Sequence, residues 1–176
     1  MRKILVLLSI LLVLACNKDD ETSQVNSFTL DGTNYELNDG LIWLAYDWFK
    51  IELYSPGINL TAGIPGVEPV YDGIGNVLYF GYMIPENYGE ISNGRYTFLS
   101  PSFTSYYFSV GIISIGIDLY DYSGDFYEVT SGTINVQNNG GDVVIDFDLT
   151  LKEGKTISGN YTGSIHIWDD NVGDWI

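Results

Sequence analysis

Asp146 and Asp148 lie two apart in the segment Asp142–Leu151, where apolar and polar residues alternate. In an extended chain successive side chains point to opposite faces. Both carboxylates therefore project from one face, about 7 Å apart at a rise of about 3.3 Å per residue. That separation falls in the range in which inverting glycosidases hold an acid and a base. The chemistry needs one of the pair to keep its proton near neutral pH, and alternating polar residues on a solvated sheet face give the same spacing. His166 is the one histidine of the chain and points to the polar face with Ser164 and Trp168. It would complete a Ser-His-Asp arrangement with either aspartate if their strands are adjacent. No Gly-x-Ser-x-Gly elbow presents a serine nucleophile, and one histidine without further His or Cys makes no zinc site. Asp169-Asp170-Asn171-Val172-Gly173-Asp174 has the composition of a calcium loop without the EF-hand spacing of glycine at six and glutamate at twelve. Gly73-Ile74-Gly75-Asn76 precedes a strand, not a helix, so it forms no phosphate cradle. These residues predict no catalytic group, no metal and no cofactor.

Aromatic chemistry is the other candidate. The chain has 14 Tyr, eight Phe and four Trp. Tyr54, Tyr120, Tyr122 and Trp168 fall on faces that the alternation makes wet. Exposed rings beside Asp and Asn are what sugar rings stack on and hydrogen-bond to, although strands favour tyrosine for packing alone. Trp168, at the end of a well-patterned strand beside His166, is the expected anchor. Tyr120 and Tyr122, two apart on one strand face, come next.

The elements that must position these residues are strands. No apolar pattern of helical period runs beyond about two turns, and Tyr, Val, Ile, Thr and Phe favour sheets. Asp31-Gly32 between two short β runs predicts a hairpin. Leu41–Tyr46 reads as a buried strand. Phe49–Tyr54 alternates, with Ile51 and Leu53 inward and Lys50 and Glu52 outward. Gly63–Gly75 reads as a long loop and Asn76–Ile84 as a strand. In Tyr106–Tyr122 the residues Ile113, Ile115, Ile117 and Leu119 share a face, with a bulge or bend expected at Gly111 or Gly116. Thr130–Val136, Asp142–Leu151 and Thr156–Trp168 read as a three-stranded meander with one dry and one wet face. The expected fold is all-β, an antiparallel two-sheet sandwich. The alternative is a partly open, lipocalin-like barrel.

The amino terminus follows a different rule. Arg2 and Lys3 precede an apolar run from Ile4 to Ala15, broken only by Ser9. That run is too short to span a bilayer and has the length of a signal-peptide core. It ends in Val13-Leu14-Ala15-Cys16, which resembles the bacterial lipobox. The resemblance implies diacylglyceryl transfer to the Cys16 thiol and cleavage after Ala15. Two or three acyl chains anchor stably where one does not. Asn17-Lys18-Asp19-Asp20-Glu21 resembles the export signal of surface lipoproteins in Bacteroidota, with Lys18, Asp19, Asp20 and Glu21 as its charged residues. Thr130-Ser131-Gly132-Thr133, the Gly154 turn and Gly159-Asn160-Tyr161-Thr162-Gly163 are similar to the C-terminal hairpins of small lipidated β proteins of that group, described as sandwich or barrel-like. The expected organisation is a leader at 1–15, a lipidated cysteine with an acidic tether at 16–27 and a β domain at 28–176.

Charge narrows the partners. The formal net charge is −16, and losing Arg2 and Lys3 with the leader leaves −18. Nucleic acid binding needs a basic patch to displace counterions, so it is not expected. Docking on anionic lipid heads is disfavoured for the same reason. The sequence leads to three expectations. The first is a lipid-anchored outer-membrane protein facing the exterior, a non-catalytic module that binds neutral glycan or a surface protein. The second is a lipocalin-like carrier of a small apolar ligand. The third is a hydrolase using Asp146, Asp148 or His166. The anchor has a direct test: Cys16→Ser is expected to abolish incorporation of labelled fatty acid and leave the leader uncleaved, as read by acyl labelling and gel mobility.

Overall fold

The computed structural model describes residues 26–99 and 106–176. Cys16 and the run Lys18-Asp19-Asp20-Glu21 lie outside the described residues. Among those described, fourteen strands follow one another: β1 (Ser27–Leu30), β2 (Thr33–Glu36), β3 (Asp39–Leu44), β4 (Phe49–Tyr54), β5 (Ile58–Thr61), β6 (Val70–Met83), β7 (Gly94–Phe98), β8 (Tyr107–Phe108), β9 (Val110–Asp118), β10 (Ser123–Asn138), β11 (Val143–Leu151), β12 (Thr156–Gly163), β13 (His166–Asp169) and β14 (Asp174–Trp175). Their hydrogen-bonded order is β14-β13-β3-β4-β6-β9-β10-β11-β12-β1-β2, with β5 beside the start of β6, and β7 on β10 carrying β8. The order has two free ends. The sheet is therefore not closed, and the barrel alternative gives way to a sandwich-like all-β fold.

One strand makes two layers out of this sheet. The first part of β10, Ser123–Glu128, pairs with β9, and from Val129 onward it pairs with β11. A bulge between Val129 and Ser131 follows at once, at the start of the β11 pairing. A bulge bends a strand and raises its twist, so β10 leaves one layer and enters the other. The first layer is β14-β13-β3-β4-β6-β9 with the start of β10. The second is β7, the end of β10, β11, β12, β1 and β2. Phe49, Ile51, Leu53, Leu78, Phe80 and Ile113 of the first layer share one apolar core with Phe28, Ile134, Val136, Ile145, Phe147, Leu149 and Ile157 of the second. Phe80 meets Phe147 at 5.6 Å between ring centres, and Phe49 meets Tyr96 edge-on at 5.5 Å. Each such side chain adds about 1.5–3 kcal/mol when fully buried.

The local predictions map well onto this frame. β1 and β2 form the Asp31-Gly32 hairpin, with both residues at positive φ (54° and 81°), as a two-residue turn of this hand demands. β10, β11 and β12 are the expected meander. Val143, Ile145, Phe147, Leu149 and Leu151 are all buried.

Other expectations are corrected. Gly63–Gly75 is not all loop, because Val70–Gly73 pairs with β5. Thr156–Trp168 is not one strand. It breaks after Gly163, and β13 crosses to the first layer to pair in parallel with β3. The Tyr161 hydroxyl donates to the Ser164 carbonyl at 2.7 Å and braces that crossing. With β7 and β8 also parallel, the sheet is mixed, not purely antiparallel. Gly116, at φ 61°, is the expected bulge, and it redistributes the isoleucine series. Ile113 and Ile115 serve the main core, while Leu119 packs with a second cluster on the outer side.

The bend in β10 has no room for a side chain. A Cβ on Gly132, whose φ is 121°, would lie 2.3 Å from the Asp148 carbonyl oxygen and 2.6 Å from the Leu149 Cα. Backbone cannot step aside as a side chain can. Gly132→Ala is expected to cost about 2–3 kcal/mol and to lower the melting temperature by about 5–10 °C. Gly141→Ala, with open space around the site, is expected to leave it unchanged in the same thermal-unfolding measurement.

Candidate functional site

The sequence-predicted candidates are scattered over the fold. Asp146 and Asp148 lie on the outer face of the second layer, on a shallow depression lined also by Arg95, Thr133 and Asn135. His166 is on β13 in the first layer, with Nε2 3.7 Å from Asp39 Oδ1. The three residues proposed for hydrolysis therefore share no cleft. Asp169 Oδ1 accepts from the Asn171 backbone N–H at 2.9 Å and its side-chain amide at 2.8 Å. That carboxylate caps a turn. Among the described residues no three His, Cys, Asp or Glu side chains converge as metal ligands do.

The tyrosine pair is exposed but not on a strand. Tyr120 and Tyr122 occupy the turn between β9 and β10, and Tyr120 is 95% exposed. The expected anchor, Trp168, is not on a wet face at all. It is 3% exposed. Trp43 lies beside it at 6.0 Å and Trp175 packs edge-on at 5.4 Å. With Leu41, Tyr54 and Ile58 it forms a second apolar cluster on the outer side of the first layer. Tyr54, also expected on a wet face, is buried there. The loop between β5 and β6 straps over this region. The Trp175 indole N–H donates to the carbonyls of Ile64 at 3.1 Å and Val67 at 3.0 Å, and the Gly66 N–H donates to Asp174 at 3.1 Å.

Beyond the strap the same outer face carries residues that the sequence reading did not bring together. Trp43 pairs in register with Lys50, and Glu52 with Tyr79. The Lys50 ammonium sits 4.4 Å from the Trp43 ring centre and 5.6 Å from that of Tyr79. Such contacts attract through the ring quadrupole. The alternation places Glu52 outward. It does point to the outer face, yet it is only 7% exposed. A buried carboxylate needs partners, and Glu52 has them. Lys50 Nζ lies 3.0 Å from its Oε1, and the Tyr54 hydroxyl donates to its Oε2. Tyr71 feels the same charge. Burial, and next the Glu52 charge, push the Tyr54 and Tyr71 phenols well above the ordinary tyrosine range. Both stay neutral. The cluster holds Lys50 in place and cancels its charge.

Tyr82 extends the row. In β6 the buried residues Leu78 and Phe80 set an inward series, and strict alternation would send Tyr82 into the core. A bulge intervenes: Ile51 pairs with Phe80 but Phe49 pairs with Met83. Met83 takes the inner position and Tyr82 turns out, 50% exposed, with its ring 5.3 Å from that of Trp48. Its φ is 51°, a left-handed conformation that costs a bulky residue on the order of 1 kcal/mol. At the adjoining pole Tyr46 and Tyr88 stack at 5.6 Å, both exposed. The Gly89 N–H donates to the Tyr46 carbonyl at 2.8 Å and fixes the second ring's loop there. The bulge is what hides this site from a period-two reading. Gly81, just before Tyr82, is the one signal that could have exposed it.

Fold and face together define an all-β, sandwich-like protein with a lysine-centred aromatic platform on one outer face. No protein-family model matches the chain, and neither a curated protein nor a solved structure matches it.

Burial of Trp168 changes what its removal does. Truncating a buried tryptophan costs about 3–5 kcal/mol. Trp168→Ala is therefore expected to lower thermal stability by about 10 °C or more. A variant that melts like the parent would place Trp168 outside the core.

Proposed function

We propose that this protein is a lipid-anchored, outward-facing outer-membrane module that binds neutral glycan without catalysis, and that it does so on the platform formed by Trp43, Lys50, Tyr79, Tyr82 and Trp48. The carrying observation is Tyr82. Its backbone adopts a costly conformation that leaves the inner position to Met83, takes the tyrosine ring out of the buried series and lays it half-exposed beside Trp48. Strain of this kind accumulates where a side chain is held for use.

The electrostatics favour an uncharged ligand. Lys50 is the cation of the platform, and Glu52 already neutralises it. Asp47, Glu86 and Glu90 stand in the segments that carry Tyr46 and Tyr88, on a chain of net charge −16. An anionic partner would meet repulsion, and stacking on rings needs no opposite charge. The carrier reading has less support, because a ligand between the layers would compete with Phe28, Phe80 and Phe147 for the same space. The hydrolase reading lacks a cleft that unites Asp146, Asp148 and His166.

Tyr82→Gly separates function from stability. Glycine takes φ near 51° without penalty, so the variant is expected to melt at or above the parent temperature while binding to a neutral-glycan array falls at least tenfold. Tyr122 is the matched control, since it is also exposed and held at φ 58°. Tyr122→Gly is expected to gain stability and keep binding. If Tyr122→Gly loses binding and Tyr82→Gly keeps it, the ligand seats on the β9–β10 turn and the platform assignment is wrong.

A further inference from the structure

The shape of the platform bears on what kind of glycan it takes. Its rings come from β3, the β3–β4 turn, β6 and the loop before β7, with Lys50 of β4 among them, and the adjacent strands β3, β4 and β6 set them in a row. Trp43 and Tyr79 flank Lys50 at 4.4 and 5.6 Å. Tyr82 and Trp48 follow at 5.3 Å from one another, and the Tyr46–Tyr88 stack closes the series at the pole. The strap, pinned by Trp175 to Ile64 and Val67, bounds the row at the Trp43 end. Tyr46, Tyr82 and Tyr88 are all exposed, so the other end opens to solvent.

A site that reads the end of a sugar chain needs a concave pocket with converging polar groups, which bury most of a small ligand. On this face Tyr46, Tyr82 and Tyr88 stand exposed to solvent. It offers the exposed rings of Tyr46, Tyr82 and Tyr88 beside the partly buried Trp43, Trp48 and Tyr79, with the Lys50 ammonium lying over Trp43. Each ring adds contact as more of a ligand is laid down, and no single ring encloses one sugar. Acidic residues near the pole work against a polymer that carries carboxylates, sulfates or phosphates.

We infer that the platform binds an internal stretch of an unbranched, neutral polysaccharide laid along the row from Trp43 to Tyr88, and does not capture the terminal sugar of a branched glycan. The inference rests on the neutral-glycan reading given above.

Full-length protein in a detergent without a sugar headgroup is titrated with neutral β-1,4-gluco-, β-1,4-manno- and β-1,3-gluco-oligosaccharides of increasing length. The reduced and end-capped forms are titrated alongside. For the ligand that binds, affinity is expected to rise at least tenfold from the disaccharide to the hexasaccharide. Capping either end should change it less than twofold. Tyr88→Ala, at the far end of the row, is expected to weaken hexasaccharide binding severalfold and leave disaccharide binding unchanged. If a monosaccharide competes as well as the hexasaccharide, or capping abolishes binding, the site reads chain ends. The inference then fails while the glycan reading stands. If none of the three series nor their parent polysaccharides bind, while a branched neutral glycan on an array does, the inference fails in the same way. If no neutral glycan of any kind binds, both fail.

Discussion

The structure depends on the bend in β10. A single strand of sixteen residues belongs to both layers, so the two halves of the core are tied by continuous backbone at the point where they diverge. The bulge at Val129–Ser131 supplies the turn and Gly132 supplies the clearance, its Cα lying against the backbone of Asp148 and Leu149. Without that change of direction the strands would extend as one wide sheet with an apolar face open to water. With it, the apolar faces meet and each outer face is left with its own chemistry. The second layer shows a polar face of Thr, Ser, Asn and Asp. The first shows tryptophan and tyrosine.

The first layer's outer face is divided by what covers it. Under the strap, Leu41, Tyr54, Ile58 and Trp168 form a dry cluster. Outside it Trp43, Trp48 and Tyr79 are partly buried and Tyr82 is half-exposed. Glu52 stands at the border and links the halves. Its carboxylate draws a hydroxyl from the covered side, Tyr54, and an ammonium from the open side, Lys50. Removing one partner of a buried pair leaves the other uncompensated, which is far more costly than the pair is stabilising. The arrangement therefore fixes the lysine between its two rings, and a fixed platform loses less entropy on binding than a mobile one.

The sequence was legible where structure is local. The Asp31-Gly32 hairpin, the β10–β12 meander, the inward series from Val143 to Leu151 and the bulge at Gly116 all follow from period-two patterning and turn chemistry. It failed where a distant segment decided the matter. Trp168 looks wet from its own strand, and it is dry because Trp43, Trp175 and the cluster of Leu41, Tyr54 and Ile58 pack around it. Glu52 looks outward from its alternation with Ile51 and Leu53, and it is buried by tyrosines from its own strand and β6. Tyr82 looks inward by counting, and a single extra residue in β6 turns it out. Of the four aromatic residues that alternation made wet, Trp168 and Tyr54 are buried, and Tyr120 and Tyr122 are exposed on a turn. The parallel pairing of β13 with β3 leaves no local trace at all.

That last pairing has a kinetic side. His166 sits beside Leu41, and Trp168 beside Trp43, across about 125 residues of intervening chain. Folding rates fall as contacts grow more distant in sequence, because a long loop must close before the contact rewards it. The early hairpins can form as they appear, but the floor under Trp43 is completed only when β13 docks. Until then the tryptophans of β3 and β13 stay exposed to solvent and to other chains. The aromatic face is thus among the last parts of the molecule to acquire its shape, and the interval before it does so is when association between unfinished chains is most favoured.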